Sequence, residues 1–187
     1  MPSSTRHRLI EAAGRRFYRD GFRNVGIDQV LADVGISKTA FYKHFESKDD
    51  LMLAALEVRN VWLQETFRDM IRSHGGPDPA AQLRGLFDVV EQVINSDEFQ
   101  GCIFVNVAME FPLAQHKRAI EAIVRELAAE ANVDDPAAMA QELCLIIEGA
   151  YVTRQVTGDP QTIAIARRVA ESVIRKRLPT TSPSGVA

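Results

Sequence analysis

Long apolar runs and cysteines are scarce in this 187-residue sequence. A membrane-spanning helix needs about 20 consecutive, mostly apolar residues, and no segment reaches that length. The first residues also lack the charged-then-apolar pattern of a secretory leader. The two cysteines, Cys102 and Cys144, are too few for a disulfide framework and have no second Cys or His at metal-binding spacing. We therefore expect a cytoplasmic protein that binds no metal and has no membrane partner.

Motifs of common enzyme classes are absent as well. The four histidines, His7, His44, His74 and His116, lie far apart and lack the His-Glu-x-x-His spacing of zinc enzymes. No glycine-rich phosphate loop and no Gly-x-Ser-x-Gly nucleophile elbow occurs. Carboxylates do flank His116 in the sequence, but such combinations arise by chance in any acidic helical protein. We therefore expect a protein that is not an enzyme and has no cofactor.

Strand patterns are also missing, because apolar residues recur every three or four positions almost everywhere. Three Asp-Pro pairs, which begin at Asp78, Asp135 and Asp159, each combine an N-cap acceptor with a proline at the first helical position. Ser47 and Asp50 resemble a capping box at the start of a further long helix. We predict an all-α fold with about nine helices. They are expected at about 4–20, 27–34, 38–45, 48–74, 79–95, 101–110, 113–131, 136–157 and 160–177.

The charge of the chain is distributed unevenly. Residues 1–48 contain nine Lys and Arg against five Asp and Glu, a formal charge of +4, whereas the remaining residues contain thirteen against twenty, a charge of −7. A basic segment on an acidic body is typical of proteins that bind a polyanion through one part only. A solvated helical face can carry a similar excess, so charge by itself leaves both interpretations open.

Residues 27–45 have the pattern of a helix, a short turn and a second short helix. Gly35 suits a backbone with positive φ, and Ser37 can cap the helix that follows. On that helix Phe41 and Phe45 are expected to pack inward, with Ala40 beside them. The polar residues that we predict to bind DNA are Ser37, Lys38, Thr39, Tyr42, Lys43, His44 and Lys48. An ordinary helical hairpin with solvated polar residues would share this pattern.

This segment resembles the N-terminal signature of the TetR/AcrR family of bacterial regulators. The resemblance extends over residues 6–58 and includes Ala12, Phe17, Gly21 and Phe22 in the first helix, the Gly35-Ile36-Ser37 turn, and the run Tyr42-x-His44-Phe45-x-Ser47-Lys48-x-x-Leu51. It implies a homodimer with one recognition helix per subunit in successive major grooves. It also implies an all-helical body that binds a small-molecule effector and then releases DNA. Gly26 and Ala40 depart from the pattern, since the family commonly has Thr at both positions.

We therefore expect a repressor that binds a palindromic double-stranded DNA operator as a homodimer and is released by an effector. An activator would use the same N-terminal segment, and a small-molecule-binding module or enzyme without DNA affinity is the alternative from another class. The expected domains are a helix-turn-helix domain at 1–48, a ligand-binding and dimerisation domain at 49–177, and a mobile tail at 178–187.

Two further sets of residues are predicted for the body. Aromatic and polar side chains inside apolar helices suit a pocket for a small apolar ligand, although core packing is the alternative for each aromatic. The candidate effector-binding residues are Trp62, Phe87, Phe104, Met109, Glu110, Gln141 and Glu148. An apolar stripe on the last two helices, with small residues that permit close approach, suits a dimer interface of four helices. Its residues are Gly149, Val152, Val156, Ile163, Ala166, Val169, Ala170 and Val173.

Overall fold

The computed structural model describes residues 4–97, 99–107 and 114–178. Throughout these residues the secondary structure is helical and contains no strand, so the predicted all-α fold is confirmed. The helices of this part of the chain are α1 (Thr5–Asp20), α2 (Ile27–Val34), α3 (Lys38–Phe41), α4 (Lys48–Gly75), α5 (Pro79–Ile94), α6 (Ile103–Val107), α7 (Ala114–Glu130), α8 (Pro136–Thr157) and α9 (Thr162–Arg177).

Side chains cap several of these helices, as the sequence predicts. Asp78 accepts hydrogen bonds from two backbone N–H groups of α5, at 3.1 and 3.2 Å, and Asp135 accepts one from α8 at 3.0 Å. Ser47 Oγ accepts from the Asp50 N–H at 3.0 Å and caps α4. The Asp50 carboxylate, however, accepts from the Glu46 N–H rather than from that of Ser47. The pair is therefore not a reciprocal capping box.

Two helix boundaries differ from the predicted positions by two and four residues. The last helix begins at Thr162 rather than near 160, because the Asp159 side chain accepts from the Gln161 N–H at 2.9 Å and holds a turn ahead of the helix. α3 ends at Phe41 rather than at 45, because the His44 N–H donates to the Phe41 carbonyl at 2.8 Å in a tighter turn. The predicted helix at 101–110 is described over Ile103–Val107, and the residues that follow it, 108–113, lie outside the described residues.

The chain divides into two compact units. The N-terminal unit comprises Met1–Glu65 and Cys102–Leu113, and the C-terminal unit comprises Thr66–Gly101 and Ala114–Ala187, each as far as it is described. The first part of α4 and α6 belong to the N-terminal unit because their buried side chains join its apolar core. Of the predicted tail, only Leu178 is described, and it packs against the core of the C-terminal unit.

Each unit has its own apolar core. In the N-terminal unit α2 packs on α1 and on α3, around the fully buried Leu9, Val30 and Phe41. In the C-terminal unit α8 packs on α7 and α9, and α5 packs on all three. Its core contains the fully buried Leu83 and Leu143. No helix in the described part of the chain is both long and apolar enough to cross a membrane.

Candidate nucleic-acid interface

The turn between α2 and α3 has the geometry that its residues predict. Gly35 ends α2 with a φ of 71°, in the left-handed region that glycine adopts without strain, and its N–H donates to the Leu31 carbonyl at 2.9 Å. Ser37 Oγ accepts from the Ala40 N–H at 3.2 Å and caps α3. α2, the turn and α3 therefore form a helix-turn-helix.

α3 and the turn after it bury one face and expose the other. Phe41 and Phe45 are buried, with ring centroids 5.8 Å apart. Tyr42 is 57% exposed, and its ring meets that of Phe41 edge-on at 5.2 Å. The exposed side chains of this segment include Thr39, Tyr42, Lys43 and His44. Two buried phenylalanines thus anchor a surface of charged, hydrogen-bonding and aromatic groups.

Two arginines of α1 hold α2 in place. The Arg8 guanidinium donates to the Val34 carbonyl at the last residue of α2. Arg16 donates two hydrogen bonds to the Asp33 carboxylate, and the Nη2–Oδ1 distance is 2.7 Å. Because this fork matches the carboxylate in plane and spacing, it fixes orientation as well as distance. Arg8 and Arg16 therefore serve the internal structure of the unit.

Ion pairs with arginines of α1 also lower the pKa values of two carboxylates, one in α1 and one in α2. The hydrogen bond from Arg16 holds the pKa of Asp33 below its ordinary value, and the hydrogen bond from Arg19 does the same for the pKa of Asp20. The Arg19 Nε–Asp20 Oδ1 distance is 2.7 Å. Both carboxylates therefore stay ionised to lower pH than an ordinary aspartate does. Part of the positive charge counted in residues 1–48 is thus neutralised within the unit.

Lys48 and Arg6 are directed onto aromatic rings of the same unit. Lys48 Nζ donates to the Phe22 carbonyl and lies 4.0 Å from the centroid of the Phe22 ring. The Arg6 guanidinium lies 5.0 Å from the centroid of the Phe45 ring. A cation over an aromatic face is stabilising. The sequence analysis did not anticipate this use of Lys48, and its predicted DNA contact stays a prediction.

Lys38 and Lys43 differ in their surroundings. Lys38 Nζ lies 3.3 Å from Asp28 Oδ1 in the first turn of α2. Lys43 has no carboxylate partner among the described residues.

Gly26, where a capping threonine is missing, donates its N–H to Gln29 Oε1 at 2.7 Å. Gln29 thus supplies one hydrogen bond at the start of α2, a compensation that the sequence analysis missed.

The predicted effector-binding residues are divided between the two units. Phe104 is buried in the core of the N-terminal unit, and Phe87 is buried in the core of the C-terminal unit. Each fills the apolar core beneath its own helix, and the assignment of both to an effector site stays a prediction. Trp62 is half exposed, with the Arg59 guanidinium 4.2 Å from its ring centroid. Gln141 is exposed and Glu148 is half-buried, whereas Met109 and Glu110 lie outside the described residues.

The C-terminal unit has a cleft of about 150 Å³, formed by other residues. Arg68 and Arg72 of α4 line it together with Glu126 and Glu130 of α7. Arg68 Nη1 lies 2.8 Å from Glu126 Oε2, so part of the cleft is closed by an ion pair. None of the predicted effector-binding residues that the structure describes lines this cleft.

The predicted dimer stripe is partly buried and partly exposed. Ile163, Ala166 and Ala170 are buried in the core of the C-terminal unit, and Val173 packs against that core. α9 uses this face to pack on its own unit, and the assignment of these four residues to a dimer surface stays a prediction. The exposed members are Gly149, Val152, Val156 and Val169.

Leu145 and Ile165 are exposed as well, and the sequence analysis missed both. Leu145 precedes Gly149, Val152 and Val156 by four, seven and eleven residues, so the four lie on one face of α8. That spacing was the signal that could have identified Leu145. We call Leu145, Gly149, Val152, Val156, Ile165 and Val169 the exposed aliphatic surface.

Comparisons with known proteins agree with the helix-turn-helix. Residues 9–55 match a family model described as "Bacterial regulatory proteins, tetR family". The uncharacterized HTH-type transcriptional regulator YerO of Bacillus subtilis is 42% identical over 52 residues, which are 28% of this chain and 18% of YerO. The HTH-type transcriptional repressor KstR2 of Mycobacterium tuberculosis is 28% identical over 106 residues, 57% of this chain and 52% of KstR2.

A solved structure extends the similarity to almost the whole chain. SCO4454, a TetR-family transcriptional regulator from Streptomyces coelicolor, is 28% identical with a TM-score of 0.79, over 95% of this chain and 91% of that protein. The family model covers the residues that build α2, the turn and α3, and the structural match includes both units. Residues 9–55 thus match the TetR family of bacterial regulatory proteins, and almost the whole chain is similar to a TetR-family transcriptional regulator.

Proposed function

We propose that this regulator is a homodimeric repressor that binds a palindromic DNA operator through α3 and releases it when a small-molecule effector binds. The observation that carries the proposal is the exposed face of α3 and its following turn. Thr39, Tyr42 and Lys43 supply a hydroxyl, a phenol and an ammonium group on a segment anchored by buried aromatics. Such groups contact phosphates and base edges in the major groove. That KstR2 is a repressor supports the direction of regulation.

The side chains of this segment suit different contacts. Lys43 and Tyr42 are proposed to contact phosphates, which position the helix without reading sequence. Thr39, in the first turn of α3, is proposed to contact a base edge. Ser37, Lys38, His44 and Lys48 complete the proposed DNA-binding set, with Ser37 and Lys48 also serving the structure as described above.

The exposed aliphatic surface supports the homodimer. A contiguous aliphatic face left in water is costly, and a second copy of the same face would cover it in a two-fold interface. Two recognition helices related by a two-fold axis read two half-sites of opposite orientation. A palindromic operator follows from that symmetry.

Effector release is proposed for the body of the protein. An effector that binds preferentially to the state with low DNA affinity weakens DNA binding. By linkage, DNA weakens the binding of the effector by the same factor. Trp62 is the only tryptophan of the sequence, and its half-exposed ring offers a fluorescence signal. A screen of small molecules by thermal shift and by Trp62 fluorescence is the direct search for such a ligand.

The DNA-binding proposal is tested by selecting operators from a random duplex library and measuring binding at several salt concentrations. We expect the selected sequence to have two-fold symmetry. Lys43→Ala should weaken binding to operator and mixed-sequence DNA alike and reduce the magnitude of the salt slope by about 0.9, the value for one lost phosphate contact. Lys176→Ala, which removes the same charge from an exposed position on α9, is the matched control. An unchanged slope in Lys43→Ala, or no selected sequence, would contradict the proposal.

A further inference from the structure

Lys38 in α3 and Lys43 in the turn after it differ in whether a carboxylate lies beside them. Asp28, in the first turn of α2, lies 3.3 Å from Lys38 Nζ, and both side chains are well exposed, at 77% and 57%. Lys43 is exposed too and has no such carboxylate within the described residues. The positive charge of Lys38 is thus paired at the surface proposed to meet DNA, while that of Lys43 is not.

We propose that Asp28 is a positioning residue that holds Lys38 and lowers the affinity of this protein for DNA of any sequence. The inference rests on the proposed function, since it takes α3 as the DNA-binding helix. Lys38 must exchange the carboxylate for a phosphate when DNA arrives, and the released Asp28 carboxylate then lies close to a polyanion. Both effects oppose binding, and neither depends on base sequence.

The ion pair is not required for the fold of the unit. An exposed pair of this kind contributes little to stability, because solvent screens it and two mobile side chains must be ordered. α2 is held by the contacts of Arg16 with Asp33 and of Arg8 with Val34, and α3 is anchored by the buried Phe41. Removing the Asp28 charge should therefore change DNA binding while leaving the melting temperature nearly unchanged.

The test measures binding of the full-length protein to a mixed-sequence duplex of about 30 base pairs, long enough for two half-sites, by fluorescence anisotropy over a range of salt concentrations. Asp28→Asn should bind about three- to five-fold more tightly than the wild type, as expected for loss of one weak exposed pair. Its salt slope should become steeper by up to about 0.9, because Lys38 then makes a full phosphate contact.

Two further variants separate pairing from general repulsion. In a Lys38→Met background, Asp28→Asn should increase affinity less than it does beside Lys38, because only the repulsion between the carboxylate and the phosphates is then relieved. Asp49→Asn is the matched control, because Asp49 is exposed in the first turn of α4 and has no cationic partner among the described residues. Asp49→Asn should change the affinity for the mixed-sequence duplex less than Asp28→Asn does.

The inference is overturned if Asp28→Asn binds no more tightly than the wild type, or if the gain is as large without Lys38 as with it. The second result would mean that Asp28 acts only as a repulsive charge. A wild-type protein that shows no salt-dependent binding to any duplex would instead overturn the proposed function, and this inference with it.

Discussion

The exposed faces of α3 and α8 lie opposite similar buried apolar faces but consist of different side chains. Both helices bury apolar side chains in the core of their own unit and present the opposite face to solvent. Beyond its buried phenylalanines, α3 with its following turn exposes hydroxyl, phenol, ammonium and imidazole groups. α8 exposes aliphatic side chains, with Leu145 at 72% and Val156 at 78%. The inner faces explain the fold, whereas the outer faces indicate a nucleic acid in one case and a protein surface in the other.

The ion pairs of the two units extend this comparison. In the C-terminal unit Arg167 lies 2.7 Å from carboxylate oxygens of both Asp88 and Glu91, and Arg177 is paired with Glu142. In the N-terminal unit Arg16 is paired with Asp33, whereas Lys48 donates to the Phe22 carbonyl and Lys43 is left without a carboxylate among the described residues. Lys43 therefore keeps its charge available to a polyanion at the turn that follows α3.

The largest expected effect comes from placing a charge in the exposed aliphatic surface. Val156→Glu should convert a dimer into a monomer, because an unpaired carboxylate would be buried once in each copy. Burial of an uncompensated charge costs roughly 3–5 kcal/mol, and the two-fold interface doubles it. Light scattering with analytical ultracentrifugation over micromolar concentrations measures the change.

Val61→Glu makes the same substitution at a half-exposed position of α4 and serves as its control. It should leave the oligomeric state unaltered. If the wild-type protein is already monomeric at these concentrations, the exposed aliphatic surface is not a dimer interface.

A smaller effect is expected at the exposed face of α3 and its following turn. Tyr42→Phe removes one hydroxyl and keeps the edge-on contact with Phe41. Operator affinity should fall by about 0.5–1.5 kcal/mol, the usual net value of a hydrogen bond, while the melting temperature stays constant. Anisotropy titrations and calorimetry measure the two quantities. Normal binding by Tyr42→Phe, or a joint loss of stability and affinity, would exclude Tyr42 as a phosphate contact.

The smallest effect concerns the pair formed by Arg16 and Asp33, and it depends on pH. The folded state lowers the pKa of Asp33, so the contribution of this carboxylate to the free energy of unfolding is complete above its ordinary pKa. That contribution is lost as the pH falls through the lowered value. The difference in stability between wild type and Asp33→Asn should therefore be constant from about pH 5 to 8 and shrink below about pH 4.

Urea unfolding followed by circular dichroism at several pH values measures this difference. Asp49→Asn, which removes a carboxylate without a cationic partner in the described part of the chain, should show a smaller dependence on pH over the same range. A difference for Asp33→Asn that grows on acidification would mean that the pair does not stabilise the folded state.

Much of the N-terminal unit was predictable because its signals act over a few residues. Gly35 was expected to need positive φ and has it, and Ser37 was expected to cap α3 and does. The alternation of buried Phe41 and exposed Tyr42 follows from the 100° rotation between neighbours on a helix. Such local preferences do not depend on what the rest of the chain packs against.

Contacts between distant residues were not predictable in the same way. Arg16 and Asp33 are 17 residues apart, and Lys48 and Phe22 are 26 apart, so no local pattern indicates that these cations are engaged within the unit. The apolar stripe of α9 was recognised, but whether Ala170 faces its own core or a second copy depends on how α5 and α8 pack against it. The same holds for Phe104, which joins the N-terminal core although it follows α5 in the chain.

The sequence by itself determined the all-helical class, the helix-turn-helix and the outward-facing side chains of α3 and its following turn, since periodicity, capping and glycine conformation are properties of short segments. Only the tertiary structure decided which apolar faces are covered and which cations are paired. Both depend on the surfaces that neighbouring helices present, and those surfaces are assembled from residues far apart in the chain.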